Sequence, residues 1–210
     1  TFNLLENTLE HFNKFPIERK SNFKFLHIST DEVFGSLDVS GLFNEKSNYK
    51  PKSPYSATKA ASDHLVDSWF HTFGLPTLVS NCSNNFGPRQ FPDKLIPNII
   101  NNAINQNSIP IYGNGLNIRD WLFVLDHCSA IDTVIQKANP GSTYGIGGNN
   151  ELKNIEVVEQ ICLLIDDYAP KLNIKLHKSK SSDLINYADD RLGHDKRYAI
   201  NSKKIQQELP

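Results

Sequence analysis

Residues 2–81 run helix, strand, helix, strand, and that order constrains the fold more than any other feature of the chain. "FNLLENTLEHFNK" (2–14) has the periodicity of an amphipathic helix. Phe23 to Ile28 form a short apolar run that reads as a buried strand. "YSATKAASDHLVDSWFHTF" (55–73) is a long helical pattern, stopped by Gly74 and Pro76. "LPTLVSN" (75–81) is the next strand. Strands alternating with helices predict a parallel sheet of the α/β class.

The second part of the chain is more mixed. "KLIPNIINNAINQ" looks helical, "IPIYG" and "IRDWLFV" look like short strands, and 126–138 is helical again. "STYGIGG" reads as a strand ending in glycines, "NIEVVEQICLLIDDY" as an amphipathic helix and "NIKLHK" as a short strand. Residues 182–198 are charged and loop-like. We expect a Rossmann-like parallel sheet over residues 1–81, represented by its C-terminal part. Residues 82–210 are expected to form mainly a smaller mixed α/β lobe that binds substrate, with some segments returning to the sheet.

The 210 residues, 39% hydrophobic, suffice for a core. A net charge of −1 gives no basis for a nucleic-acid partner. No apolar run is long enough to cross a bilayer. Cys82, Cys128 and Cys162 are odd in number, far apart and without a CxxC, which fits buried thiols in a reducing cytoplasm. The seven histidines form no HExxH and no His/Cys cluster, so no metal is expected. The chain has no Met and opens inside a helical pattern. It also has no GxGxxG: "GNGLN" and "GIGGNN" lack the third glycine. We therefore expect a piece of a longer protein, with the phosphate-cradling loop in the absent part.

The adjacent acids Asp31 and Glu32 follow the first strand directly. Ser29-x-x-Glu32 fits a capping box, yet "VFGSLDVSG" is turn-like rather than helical. In open α/β sheets ligands bind beyond the carboxyl ends of strands, where Thr30, Asp31 and Glu32 lie. Tyr55 and Lys59 are four apart at the start of the long helix, hence on one face. An ammonium there would lower the Tyr pKa and make it a usable base. Val66 and Phe70 continue that row, while Leu65, Trp69 and Phe73 form a second stripe. A second stripe implies either a dimer through this helix or burial under the second lobe. "NCSNNFGP" (81–88) offers amides suited to nicotinamide, ribose or sugar hydroxyls, or is simply a turn. Lys94, Arg119, Arg191, His194 and Arg197 are scattered cations. Arg119 lies between apolar residues and suits a diphosphate.

Taken in order, STDEVFG, YSATKAASDHLV, NCSNNFGPRQFPDKLIP, PIYGNGLNIRDWLFV and DRLGHDKRYAI resemble the dTDP-glucose 4,6-dehydratases. These are extended short-chain dehydrogenases/reductases. The resemblance implies NAD as cofactor and dTDP-glucose as substrate. Tyr55, helped by Lys59 and Thr30, would deprotonate the glucose 4-hydroxyl as hydride leaves C4 for NAD. Glu32 would then take the C5 proton and Asp31 would protonate the departing 6-hydroxyl. Hydride returns to C6. Asp31 must hold its proton at neutral pH, and a charged Glu32 beside it acts in that direction. The resemblance further implies that Asn84, Lys94, Leu95, Pro110, Ile111, Tyr112, Arg119, Asn154, Asp190, Arg191, Gly193 and His194 hold the nucleotide sugar. Asn85, with Tyr55 and Lys59, would touch NAD. Helices 2–14 and 55–73 would form a homodimer interface, and the product would feed deoxysugars such as rhamnose.

Phe34 and Phe86 stand where such proteins often have Tyr, and Leu192 where Pro is usual. The loop over 36–49 is short. The choice between dTDP and UDP is not written in the sequence. A 4-epimerase needs no acid–base pair beside Thr30. A lobe that binds nucleotide sugar without chemistry is a third alternative, and we expect this chain alone to be inactive.

Overall fold

The computed structural model describes residues 1–177 and 180–209. Helix α1 (Phe2–Asn13) and the single turn α2 (Ile17–Lys20) lead into strand β1 (Phe25–Thr30). The strand is displaced by two residues from its expected place, so Ser29 and Thr30 still belong to it. A 3₁₀ turn over Asp31–Phe34 follows. Helix α3 (Pro54–Phe73) and strand β2 (Thr77–Cys82) complete the first crossover.

Local chemistry sets the ends of α3. The Ser53 hydroxyl accepts the Ser56 N–H and the Ser56 hydroxyl accepts the Ser53 N–H, both at 3.0 Å. Pro54 fills the first turn, where no N–H is needed. Gly74 closes the helix in the left-handed region, at φ 66°.

Next come β3 (Asn84–Phe86), α4 (Leu95–Ile104), β4 (Ile109–Tyr112), β5 (Ile118–Phe123), α5 (Val124–Lys137) and β6 (Thr143–Ile146). The chain ends with β7 (Glu151–Lys153), α6 (Asn154–Lys171), β8 (Ile185–Ala188) and α7 (Lys203–Glu208). β1, β2 and β6 form a parallel sheet in that order, with Thr30 opposite Cys82 and Cys82 opposite Ile146. β6 thus reaches the first sheet from far along the chain. β5 lies between β3, parallel to it, and β7, antiparallel. β4 and β8 form a separate parallel pair.

Each face of the first sheet has its own core. Leu5 of α1, Val66 and Trp69 of α3, and Leu75 and Val79 fill one side. Leu78, Val134, Tyr144, Ile146 and Ile205 fill the other. A third core joins α4, α6, β4 and Trp121 of β5.

Several expectations are corrected. Asn84–Phe86, read as a loop or turn, is a strand paired with β5. The stretch 182–198 is not all loop: a 3₁₀ turn over Ser181–Leu184 runs into β8. The strand expected over 173–178 is absent from 173–177, and Lys178 lies outside the described residues. There the Ile174 N–H returns to the Ala169 carbonyl at 2.8 Å and Asn173 adopts φ 57°, so the segment caps α6 instead. The second apolar stripe of α3 is partly satisfied within the chain. Trp69 is buried against α1, its ring 5.3 Å from that of Phe2 and edge-on to it.

Candidate active site

β1 delivers Thr30 in an extended conformation, and the 3₁₀ turn then takes the next two side chains off the strand. Thr30, not Ser29, is the cap: its hydroxyl accepts the Glu32 N–H and donates to Asp31 Oδ1, both at 3.3 Å. On a regular strand Asp31 and Glu32 would face opposite sides. The turn lets them serve one place.

Asp31 is 2% exposed, and its Oδ2 has no hydrogen-bond partner among the described residues. Burial first, and the Glu32 charge second, push its pKa up to about 8. It is therefore a proton donor at neutral pH. Glu32 is half-buried and also raised by burial and by Asp195, while Arg119, Arg191 and Lys94 pull it down. Three cations far apart in sequence thus act on one carboxylate.

Tyr55 lies 55% exposed at the start of α3. Its pKa is raised, by burial and then by Glu32, Cys82 and Asp31. That corrects the expected lowering by Lys59. The Lys59 ammonium is committed to the Ile28 carbonyl at 2.7 Å, which spends one of its three donors.

Arg119 is 8% exposed. Its guanidinium donates to the carbonyls of Ile118 at 2.8 Å, Asp195 at 3.0 Å and Lys196 at 3.5 Å, and stacks 4.5 Å from the Tyr198 ring centre. Arg119 is thus anchored to backbone carbonyls, near enough for its charge to act on the acid pair, and is less free for a diphosphate than the sequence suggests. Tyr198 in turn donates to Asp195, and Lys52 lies 3.4 Å from the same carboxylate.

The β4–β8 pair brings "PIYG" to "DRLGHD". The Arg191 guanidinium stands 4.9 Å over the Tyr112 ring, and Asp190 accepts from His194 Nδ1 at 2.6 Å. Gly113 has φ 62°, and a Cβ there would sit 2.9 Å from the Asp190 carboxyl carbon. Gly193 is also left-handed, at φ 70°. Tyr112 and Arg191 are exposed, Pro110 is half-buried, and Ile111 is buried in the third core. Leu95 opens α4 and packs on that core. Lys94, just before it, is exposed and 3.4 Å from Asp93.

Asn84 and Asn154 each bury a side-chain oxygen without a partner among the described residues, as a ligand-binding amide should. Asn85 differs. Its amide donates to the Ser83 carbonyl at 3.0 Å and its oxygen meets His127 Nδ1 at 2.8 Å, so that side chain is already engaged. Sequence reasoning missed Asp195, Tyr198, Asn81 and Asp63. All four lay inside quoted motifs, Asp63 in YSATKAASDHLV, Asn81 in NCSNNFGP and Asp195 and Tyr198 in DRLGHDKRYAI.

The fold is that of a Rossmann-type dehydratase or epimerase domain. The family model described as GDP-mannose 4,6 dehydratase matches residues 1–210, and the chain belongs to that family. It is 51% identical to a dTDP-glucose 4,6-dehydratase of Xanthomonas campestris, over all of this chain and 58% of the relative. It is also similar to the crystal structure of a Bacillus anthracis dTDP-glucose 4,6-dehydratase in complex with NAD. That likeness has a TM-score of 0.78 and 44% identity, over 96% of this chain and 59% of the other. A Streptomyces venezuelae dTDP-glucose 4,6-dehydratase with NAD and TYD bound gives a TM-score of 0.82 and 35% identity, covering 98% and 57%. The chain thus spans less than two thirds of the length of these relatives.

Proposed function

We propose that this chain contains the acid–base centre of a dTDP-glucose 4,6-dehydratase that forms the 4-keto-6-deoxy sugar. One observation carries the reading: a fully buried carboxyl, whose burial favours its protonated form, adjoins a second carboxylate at the end of a parallel strand. Elimination of water across neighbouring carbons needs a base and an acid side by side. Glu32 removes the proton from C5, and Asp31 protonates the leaving 6-hydroxyl. Tyr55 takes the 4-hydroxyl proton, with Thr30 beside it. Burial and the neighbouring carboxylates keep the Tyr55 phenol protonated in this chain, so the base role requires phenolate, which the Lys59 ammonium and the positive ring of bound NAD would favour.

NAD, when bound, supplies the hydride acceptor and donor for C4 and C6. Exposed Tyr55 and the two unspent donors of Lys59 fit such a group, since ribose and nicotinamide offer hydroxyls and an amide. The Asn85 side chain fits it less well. Arg191, Lys94, Tyr112, Asn84, Asn154 and the Asp190–His194 turn hold the nucleotide sugar, with Arg119 acting through its charge. Residues 1–81 belong to the cofactor domain and 82–210 mainly to the substrate lobe.

Further parts of the reading rest on other features. Phe2, Leu4 and Phe73 are exposed on α1 and α3, which supports a homodimer through those helices. The three cysteines are unpaired, which fits the cytoplasm, although only Cys162 is buried as expected, Cys82 being half-buried and Cys128 exposed. The product would supply deoxysugars such as rhamnose.

The test is to incubate this chain with NAD and dTDP-glucose, alone and joined to the segments of the Xanthomonas relative that it does not span. The alkali-induced absorbance of the 4-keto-6-deoxy product is the readout. Product from the joined chain is expected. No product from either form, with UDP-glucose equally inert, would overturn the reading.

A further inference from the structure

Asp63 has no part in the chemistry above, yet it is a buried carboxylate that accepts three hydrogen bonds from three different segments. It is 2% exposed and sits on α3 one turn after Lys59. Its Oδ2 accepts from the Ser29 hydroxyl at 2.8 Å, the Tyr49 hydroxyl at 3.1 Å and the Asn81 amide at 3.2 Å. Its Oδ1 lies 3.1 Å from His27 Nε2 but without hydrogen-bond geometry, so the grip runs through Oδ2. A buried carboxylate is costly unless surrounded in this way.

These partners share one feature. His27 and Ser29 belong to β1, and Ser29 immediately precedes Thr30. Asn81 is on β2, and its amide also donates to the Thr30 carbonyl at 3.3 Å. Tyr49 comes from the loop between the acid pair and α3. Helix α3 therefore grips the end of β1 twice, through Lys59 at Ile28 and through Asp63 at Ser29. Thr30 is the cap that orients both Asp31 and Glu32.

We infer that Asp63 is a positioning residue that fixes the acid pair relative to Tyr55, by locking the end of β1 and Asn81 to helix α3. The inference rests on the dehydratase reading for its effect on turnover. Small displacements of reacting groups cost rate steeply. Loosening the turn would impair the elimination step, which uses Asp31 and Glu32, more than oxidation at C4, which uses Tyr55.

The test uses Asp63→Asn and, should that variant fail to fold, Ser29→Ala, which removes one donor and leaves the charge. In the joined chain, kcat is expected to fall by roughly 10- to 100-fold for Asp63→Asn, with KM little changed and reduced NAD accumulating. Ser29→Ala should shift the same way by a smaller factor. Equal slowing of oxidation and elimination, or unchanged kcat, would overturn the inference. A second readout needs no turnover: the Asp31 carboxyl is titrated by NMR in this chain and its variants. A looser turn admits water and moves the Asp31 midpoint down toward the ordinary carboxylate range, while an unmoved midpoint overturns the inference. A moved midpoint in a chain whose parent makes no product would uphold the positioning role and sink the dehydratase reading.

Discussion

The Lys59 ammonium donates to the Ile28 carbonyl at 2.7 Å, so the helix that presents Tyr55 is tied to the strand that presents the acid pair. This bond crosses from α3 to β1 two residues before Thr30. It makes the spacing of Tyr55 from Asp31 and Glu32 a property of the crossover rather than of a loop.

Replacing Lys59 by Met keeps the apolar stem and removes the donor. The variant is expected to lose about 1 kcal/mol of stability in urea unfolding. In the joined chain it should also lose more than roughly tenfold in NAD reduction, because Tyr55 loses its register and the cofactor loses two donors. A stability loss with undiminished NAD reduction would remove Lys59 from the cofactor site.

Asp31 gives a prediction with a sign. Its folded pKa of about 8 lies above the unfolded value of about 3.9. Between those values the folded chain holds a proton that the unfolded chain has released. Stability from this group is therefore complete below about pH 4 and lost as pH rises through about 8. Asp31→Asn should match the parent near pH 4 and exceed it at pH 9 by on the order of 1–3 kcal/mol in thermal or urea unfolding. An advantage at low pH instead would mean that Asp31 is charged in the fold. Turnover of the parent should fall on the alkaline side as Asp31 loses its proton near pH 8.

How much of this was legible in the sequence differs residue by residue. The apolar run before Asp31, and its place at a strand end, follow from periodicity and α/β topology. So does the shared face of Tyr55 and Lys59. The direction of the Asp31 shift was legible, but its main cause, burial, was not, since burial is tertiary. The Tyr55 shift was misread because a helix wheel shows that Lys59 is near without showing that Ile28 claims its ammonium. β8 escaped notice because "INYA" is a strand only by pairing with β4 across more than seventy residues of chain. Asp63 looks like one more surface charge until β1, β2 and the Tyr49 loop close over it.

Gly148 is a steric prediction. A Cβ there would lie 2.0 Å from the Trp121 carbonyl oxygen, which is backbone and cannot step aside. The Gly148 N–H also donates to Asp120 Oδ2 at 3.1 Å, and Asp120 follows Arg119 on β5. Gly148→Ala should cost about 3 kcal/mol or more and lower the thermal midpoint accordingly. An unchanged midpoint would show that the loop can retreat from β5.

Arg191 separates binding from chemistry. It is exposed, stands over Tyr112 and reaches Glu32 only through its field. A diphosphate gains most from such an accessible guanidinium. Arg191→Ala should raise KM for the nucleotide sugar about tenfold while kcat changes little. A kcat loss with constant KM would assign Arg191 to the acid pair instead.

Arg119 allows stability and pH dependence to be separated at one position. Its fork of donors serves the Ile118 and Asp195 carbonyls, and its charge lowers the pKa of both Asp31 and Glu32. Lysine keeps the charge but cannot make the fork. Arg119→Lys should therefore lose about 2–3 kcal/mol in unfolding while the limbs of the pH–rate profile stay near their parent positions. Arg119→Gln loses the charge as well. A cation favours the ionised carboxylate, so without it both carboxyls release their protons at higher pH. Both limbs should then move alkaline, the acid limb because Glu32 must be ionised and the alkaline limb because Asp31 must be protonated. Limbs that stay fixed in Arg119→Gln would mean that the charge of Arg119 does not set the pKa values of the acid pair, leaving Arg119 only its hydrogen bonds to backbone carbonyls.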